Sequence, residues 1–253
     1  MKQMMIKVGM RVGKMNTTAP LMFDLRQLPM VLIVGASGSG KSYLLKFIFA
    51  SLLKYQAIME IFCLDFKNSG DYEFMDAEHL SVGKDCVEML DKVYKRYKQI
   101  KEDNMSNIVL CVFDEYAAFI TWLNSYDKKL GKKAMDQVQE ILMMGRRINK
   151  NNGGAYMITV LQRPDSAYFG TARDNYFVKI IMKDVTRSIR TMLEIDEKDI
   201  PEEHKARTGH GIMIVDENIY AFIVPTYDET LMNAMLTAKR SEAVSIAEVV
   251  PNT

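Results

Sequence analysis

Two periods of hydrophobicity run along this chain. Near the amino terminus Ile6, Val8, Met10 and Val12 alternate with Lys7, Gly9 and Arg11, the period of a half-buried strand, and residues 21–25 form a second short strand candidate. Five predominantly apolar runs follow, at 31–34, 57–66, 107–113, 155–161 and 177–182. They are too short for helices and end in polar or turn residues, so they read as buried strands. Between them the period becomes helical. Residues 43–54 follow the first run; in 84–102 the apolar positions are Cys86, Leu90, Val93, Tyr97 and Ile100; in 132–149 they are Met135, Val138, Leu142 and Gly145. Buried strands alternating with amphipathic helices predict an α/β fold, with a mostly parallel central sheet flanked by helices. Further on, a basic turn or helix carries Arg187 and Arg190, and the runs 211–215 and 219–224, separated by Asp216-Glu217-Asn218, read as a β-hairpin. A short helix from 228 to about 240 and a polar tail close the chain, with no internal repeat and no low-complexity segment.

The junction of the first apolar run with the first helix carries the strongest chemistry. Gly35-Ala-Ser-Gly-Ser-Gly-Lys-Ser42 fits G-x-x-x-x-G-K-[ST] in the strand–loop–helix setting that this phosphate loop requires. Anionic oxygens must come close to the backbone there, so glycines replace side chains, and N–H groups at the helix start face the anion. The residues expected to hold a nucleoside triphosphate are Gly35, Ser37, Gly38, Ser39, Gly40, Lys41, Ser42 and Tyr43. Lys41 would bridge the outer phosphates, and the Ser42 hydroxyl would hold Mg²⁺.

Other strand ends add polar groups. The run 107–113 ends in Asp114-Glu115; Asp114 can hold Mg²⁺, and Glu115 can orient or deprotonate an attacking water. The run 155–161 delivers Gln162, a candidate phosphate sensor, followed by Arg163. The run 57–66 opens into the polar loop 65–71, and the carboxyl ends of strands in an open parallel sheet are where ligands bind.

Composition narrows the class. At 253 residues, 48% apolar and 26% charged, the chain reads as globular and soluble, and its length suits a single α/β domain as well as two. A formal charge of +1 supplies no global attraction to nucleic acid, so DNA binding has to come from local patches. Lys92, Lys95, Arg96 and Lys98 lie mostly off the apolar stripe of their helix and read as a solvated face. The three cysteines, Cys63, Cys86 and Cys111, lack metal-ligand spacing and read as reduced core thiols, which implies a cytosolic compartment; the three histidines are scattered and suggest no zinc site. The 20 methionines read as adaptable core packing. No apolar run is long enough to span a bilayer, so work at a membrane would require a recruiting partner.

Taken in order, the landmarks resemble the motor domain of the FtsK/SpoIIIE branch of the FtsK–HerA superfamily. The resemblance rests on Phe23-Asp-Leu-Arg-Gln-Leu-Pro29 leading into the phosphate loop, Val93-Tyr-Lys-Arg-Tyr97, Gly131-Lys-Lys133, Gly145-Arg146, Gln162-Arg-Pro-Asp165, Gly170-Thr-Ala-Arg-Asp-Asn175, Arg190-Thr-Met-Leu193 and Gly209-His-Gly-Ile-Met213. It implies a RecA-like P-loop NTPase organised as an amino-terminal β lead-in (1–28), a motor domain (29–240) and a carboxyl-terminal tail (241–253). It further implies ATP and Mg²⁺ as cofactors, a homo-oligomeric, usually hexameric ring around double-stranded DNA, and a site formed in cis by Lys41, Ser42, Asp114 and Glu115. Arg146 would reach into the neighbouring copy's site, with Arg147 as the alternative because residues 148–153 lengthen the following turn. Gln162 would report on the γ-phosphate, and Arg163, Arg173 and Arg187 would face DNA. The family more often has an acidic residue where Ile212 stands.

The expected activity is therefore ATP hydrolysis coupled to translocation of duplex DNA. The membrane anchor and winged-helix reader of chromosome-segregating members have no counterpart here. This shifts the expectation toward transfer, packaging or partition of a plasmid, conjugative element or virus, in the cytoplasm, with a membrane, relaxosome or packaging partner supplying the address. Two alternatives stay open: a protein-secretion ATPase module like those of type VII systems, and a nucleotide-gated assembly factor.

Overall fold

The computed structural model describes residues 3–249. Strands β1 (Met5–Val12) and β2 (Thr18–Asp24) pair antiparallel. Strand β3 (Met30–Val34) leads through the phosphate loop into helix α1 (Lys41–Leu52). Then come β4 (Met59–Asp65), β5 (Leu80–Val82), α2 (Cys86–Glu102), β6 (Ile108–Asp114), α3 (Tyr116–Tyr126), α4 (Lys128–Met144), β7 (Gly154–Leu161), β8 (Val178–Met182), α5 (Arg187–Leu193), the hairpin β9 (His210–Val215) and β10 (Asn218–Ile223), and α6 (Glu229–Val249).

All ten strands join one sheet in the order β2-β1-β10-β9-β8-β3-β7-β6-β4-β5. The six strands from β8 to β5 are parallel, and the hairpin and the two amino-terminal strands extend the sheet antiparallel beyond β8. Strand β7 lies between the phosphate-loop strand and the Asp114 strand, so Gln162 emerges between the two motifs.

Side-chain alternation explains the three layers. Val31, Ile33, Ile61, Cys63, Leu110 and Val112 pack under Leu44, Leu45, Ile48 and Phe49 of α1 and Leu236 of α6. Leu32, Phe62, Leu64, Cys111 and Phe113 face the opposite way, toward Leu90, Val93 and Tyr97 of α2, Phe119 of α3 and Val138 and Ile141 of α4. A strand covered on both faces needs apolar residues throughout, which is why these runs do not alternate. The amino-terminal strands add Ile6, Val8 and Phe23 to the α1 face.

Several local expectations shift. Helix α3 and strand β5 are additions: α3 is rich in aromatic and β-branched residues of modest helix propensity, and β5 has three residues and takes its place by pairing with β4. Helix α4 starts at Lys128, capped by the Asp127 carboxylate, and ends at Met144 rather than continuing to 149. Its buried face is Ala134, Val138, Ile141 and Leu142, while Met135 is only half-buried. The closing helix continues past 240 to Val249, over residues expected as polar tail; residues 250–253 of that tail lie outside the described residues. Methionines divide between core and surface: Met30, Met59, Met157 and Met182 are buried, whereas Met143 and Met144 are more than half exposed. Cys63, Cys86 and Cys111 are buried free thiols. Among the described residues no helix is long and apolar enough to cross a membrane, and no cluster of His, Cys, Asp or Glu has the make-up of a metal site.

Candidate active site

Parallel register brings the polar strand ends to one edge. Val34 is opposite Leu161, and Asp65 is opposite Asp114, so the phosphate loop, Gln162, Asp114-Glu115 and the 66–72 loop lie side by side. The phosphate loop turns through Gly38 (φ 70°) and Gly40 (φ 97°), left-handed conformations in which a side chain would be strained. Gly40 also has the backbone nitrogen of Gly209 3.1 Å from where a Cβ would stand. Residues 208–209 clasp the loop from outside: the Thr208 hydroxyl donates to Gly38 O (3.1 Å) and Gly209 N–H donates to Ser39 O.

Lys41 is buried and donates from Nζ to Gly35 O (2.7 Å) and Ala36 O (3.1 Å), curling over its own loop. Burial lowers its pKa, against the opposing pull of Glu115 and Asp114. Ser37 is exposed, Ser39 is buried and Ser42 is half-exposed at the first turn of α1. The Tyr43 ring is committed elsewhere. It stacks on Tyr227 at 3.8 Å between centroids, its hydroxyl accepts from Tyr227 N–H (2.6 Å), and the Tyr227 hydroxyl donates to Tyr43 O (2.6 Å). Only the backbone of Tyr43 is left to serve a nucleotide.

At the end of β6, Asp114 and Glu115 are both buried but held differently. Tyr72 donates from its hydroxyl to Asp114 Oδ2 (2.7 Å). Burial pushes the Asp114 carboxyl up to about 6; the Tyr72 hydrogen bond opposes this, and the neighbouring Glu115 and Asp65 add to it. Glu115 has left-handed backbone (φ 57°, ψ 39°), which costs on the order of 1 kcal/mol for a residue with a Cβ. This twist ends β6 and starts α3 in a single residue. The Glu115 carboxylate accepts from Lys67 Nζ (2.6 Å) and, at 3.5 Å, from Gln162 Nε2. Neither Lys67 nor Tyr72 belongs to a recognisable motif; the polar loop 65–71 was the only sequence signal near them.

The edge offers hard oxygen donors of the kind Mg²⁺ takes, the Asp114 carboxylate and the Ser42 hydroxyl, but among the described residues no three carboxylates stand close enough to hold the ion alone, so phosphate and water oxygens would complete its shell; the buried Asp65 Oδ1 and Ser39 Oγ have no hydrogen-bond partner among the described residues.

The arginines separate into two groups. Arg146 follows Gly145, whose carbonyl accepts from Ala155 N–H at the start of β7, so it lies at the amino edge of the sheet. Strand β7 rises ~3.3 Å per residue, which sets Arg146 roughly 20 Å from the phosphate loop of its own chain. Its guanidinium stands 5.0 Å over the Phe177 ring, beside a cleft of ≈ 300 Å³ lined by Arg26, Arg147, Asn152 and Tyr156. Residues 148–153 form an ordered turn around Asn149, whose amide donates to Ile100 O and Met105 O. On the nucleotide edge, exposed Arg163 donates to Ser188 Oγ (3.2 Å), which brings it beside exposed Arg187. Arg173 is not with them on open surface: its side chain is 17% exposed and lies near Asp174.

The FtsK/SpoIIIE family model matches residues 2–116. No curated protein matches the chain by sequence. Among solved structures, the pCW3 conjugation coupling protein TcpA with ATPγS has a TM-score of 0.66 at 21% identity, covering 94% of this chain and 71% of TcpA. EssC (ATPases 2 and 3) from Geobacillus thermodenitrificans has a TM-score of 0.69 at 12% identity, over 98% of this chain and 50% of that one. The cytoplasmic domain of the Thermomonospora curvata type VII secretion ATPase EccC has 0.64 at 18% identity, over 94% and 31%. This chain thus spans half or less of the EssC and EccC chains. These likenesses establish a P-loop ATPase fold over nearly the whole described length, and the stretch from residue 2 to 116 that is similar to the FtsK/SpoIIIE family contains the phosphate loop, Asp114 and Glu115.

Proposed function

We propose that this protein is an ATPase that assembles as a ring and moves double-stranded DNA.

 We infer hexameric closure from the family resemblance, with transfer, packaging or partition of a mobile genome as the setting. The observation that carries the reading is the separation of groups within one chain: Lys41, Asp114, Glu115 and Gln162 meet at the carboxyl edge of the sheet, while Arg146 stands at the amino edge. A second copy could bring its amino edge to this site and supply the cation that each copy holds too far from its own.

In this reading ATP lies along the phosphate loop, with Lys41 leaving its loop carbonyls for the outer phosphates. Ser42 and Asp114 hold Mg²⁺, which offsets charge on the phosphates when bound. Glu115 takes the proton of the attacking water, and the bond from the γ-phosphorus to the β,γ-bridging oxygen breaks, leaving ADP and phosphate. Arg146 of the adjacent copy meets the charge that develops on the transferred group. Arg163 and Arg187, joined through Ser188, offer backbone-directed contacts to DNA, which position the duplex without reading its sequence. The likeness to TcpA, a conjugation coupling protein, supports this direction. The likeness to EccC, a type VII secretion ATPase, favours a second reading in which the cargo is a protein.

One experiment separates them. ATP hydrolysis is measured with and without long linear duplex DNA, for the wild type, Glu115→Gln and Arg146→Ala. Stimulation by DNA that both substitutions abolish supports a DNA motor with an interface-completed site. Hydrolysis indifferent to DNA rejects it in favour of the secretion or assembly-factor readings.

A further inference from the structure

We infer that Lys67 is a positioning residue that latches the Glu115 carboxylate in the resting chain and releases it when phosphate oxygens compete for the Lys67 ammonium. The inference rests on the ATPase reading above and adds a regulatory contact to that site.

The geometry is one-sided. Lys67 Nζ is 2.6 Å from Glu115 Oε1, and Gln162 Nε2 approaches the same oxygen at 3.5 Å, so Oε1 is already occupied as an acceptor. Both contacts grip the carboxylate by Oε1 and so fix the direction in which its remaining lone pairs face, which makes Lys67 the group that sets the carboxylate's orientation in the resting chain. The two partners differ in freedom. The Glu115 side chain is 10% exposed and sits on left-handed backbone at the head of α3, whereas the Lys67 side chain is 47% exposed. The loop that carries Lys67 is anchored on its far side: Asp65 Oδ2 accepts from Ser69 N–H (2.6 Å) and from the Ser69 hydroxyl (2.9 Å), Asp71 pairs with buried Lys46 (2.9 Å), and Tyr72 donates to Asp114. Lys67 and Asn68 are its exposed tip, with Asn68 in left-handed conformation (φ 55°). Release therefore needs only rotation of a flexible four-carbon stem, with the loop base staying in place. An anionic phosphate oxygen is the natural competitor for a compact ammonium at a phosphate-binding edge. The backbone of a duplex lying on the same edge offers one beyond those of the bound nucleotide.

The test uses the full chain at saturating Mg-ATP, comparing wild type, Lys67→Ala and Lys67→Arg, each without and with linear duplex DNA. A latch predicts that Lys67→Ala raises the DNA-free kcat about tenfold, the equivalent of ~1.4 kcal/mol and close to the lower end of the range for a hydrogen bond to a charged group. Lys67→Arg, which restores the cation, returns the rate toward the resting value. Loss of DNA stimulation in Lys67→Ala identifies the duplex backbone as the releasing phosphate; full DNA stimulation retained in Lys67→Ala overturns the latch. A DNA-free kcat in Lys67→Ala equal to or below wild type overturns the latch while leaving the ATPase reading intact. Absence of hydrolysis in the wild type overturns both. Should the alanine variant melt early, Lys67→Met keeps the stem without the charge and is read in the same way.

Discussion

Replacing Gly145 with alanine tests the packing that delivers Arg146. The backbone there is ordinary right-handed helix (φ −76°, ψ −17°), so helix propensity alone would make alanine better by about 1 kcal/mol. Sterics oppose this: a Cβ on Gly145 would stand 2.1 Å from Ala155 O and 2.5 Å from Ile141 O. Carbon and carbonyl oxygen normally stay roughly 3.3 Å apart even in close contact, so the end of α4 and the start of β7 would have to part by about 1 Å. The Ala155 N–H to Gly145 O hydrogen bond, 2.9 Å long, crosses this seam and would stretch with it. Overpacking of this kind costs about 1–3 kcal/mol, which leaves a net loss of up to about 2 kcal/mol after the propensity gain. At roughly 2–4 °C per kcal/mol for a domain of this size, Gly145→Ala should lower Tm by up to about 8 °C. Scanning calorimetry or circular dichroism at matched concentration reads the shift, and DNA-stimulated hydrolysis reads the displaced Arg146. A variant with unchanged or higher Tm would refute the argument, because it would mean that the seam opens without cost and that propensity decides the sign.

Two further predictions concern buried polar contacts. Tyr72→Phe removes the donor to Asp114 Oδ2 and leaves a buried carboxylate short of one hydrogen bond, so stability should fall by about 1–3 kcal/mol in denaturant titration at pH 8; a loss under about 0.5 kcal/mol would contradict it. His79 stands among Asp76, Glu60, Arg96 and Arg240; burial opposes its charge, but the carboxylates of Glu60 (3.8 Å) and Asp76 (hydrogen-bonded at 2.6 Å) outweigh burial and raise its pKa. A raised pKa stabilises the fold fully below the unfolded value of 6.5, and that contribution is lost as pH rises through the folded value. Wild type minus His79→Gln stability should therefore shrink as pH rises above 6.5; the opposing titrations of His204 and His210, both lowered by burial, cancel in the difference. A difference that stays flat across neutral pH would reject the assignment.

The sequence by itself determined what short-range pattern can carry. Predominantly apolar runs bounded by polar turns specified the five buried strands, because a strand covered on both faces is apolar at nearly every position; Glu60 in β4 and Lys179 in β8 are the half-buried exceptions. The phosphate loop was legible for a similar reason: close approach of backbone to an anion demands glycine at fixed spacing before a helix. Asp114, Glu115 and Gln162 were legible as polar residues at strand ends. What remained was decided at long range. Strand order set β7 between β3 and β6, and register set Asp65 beside Asp114, neither of which any local period encodes. Helix α3 forms on a sequence of weak propensity because Phe119, Ile120 and Leu123 find a core to bury against. Lys67 and Tyr72 lie more than forty residues before their carboxylate partners and were indistinguishable from other polar-loop residues until β4 and β6 paired. Tyr43, placed by its neighbours in the phosphate loop, turned instead to Tyr227 across the chain. Arg146 was visible as an arginine at a helix end, but its distance from its own phosphate loop exists only once β7 is laid into the sheet, since a strand's length is what separates the two edges.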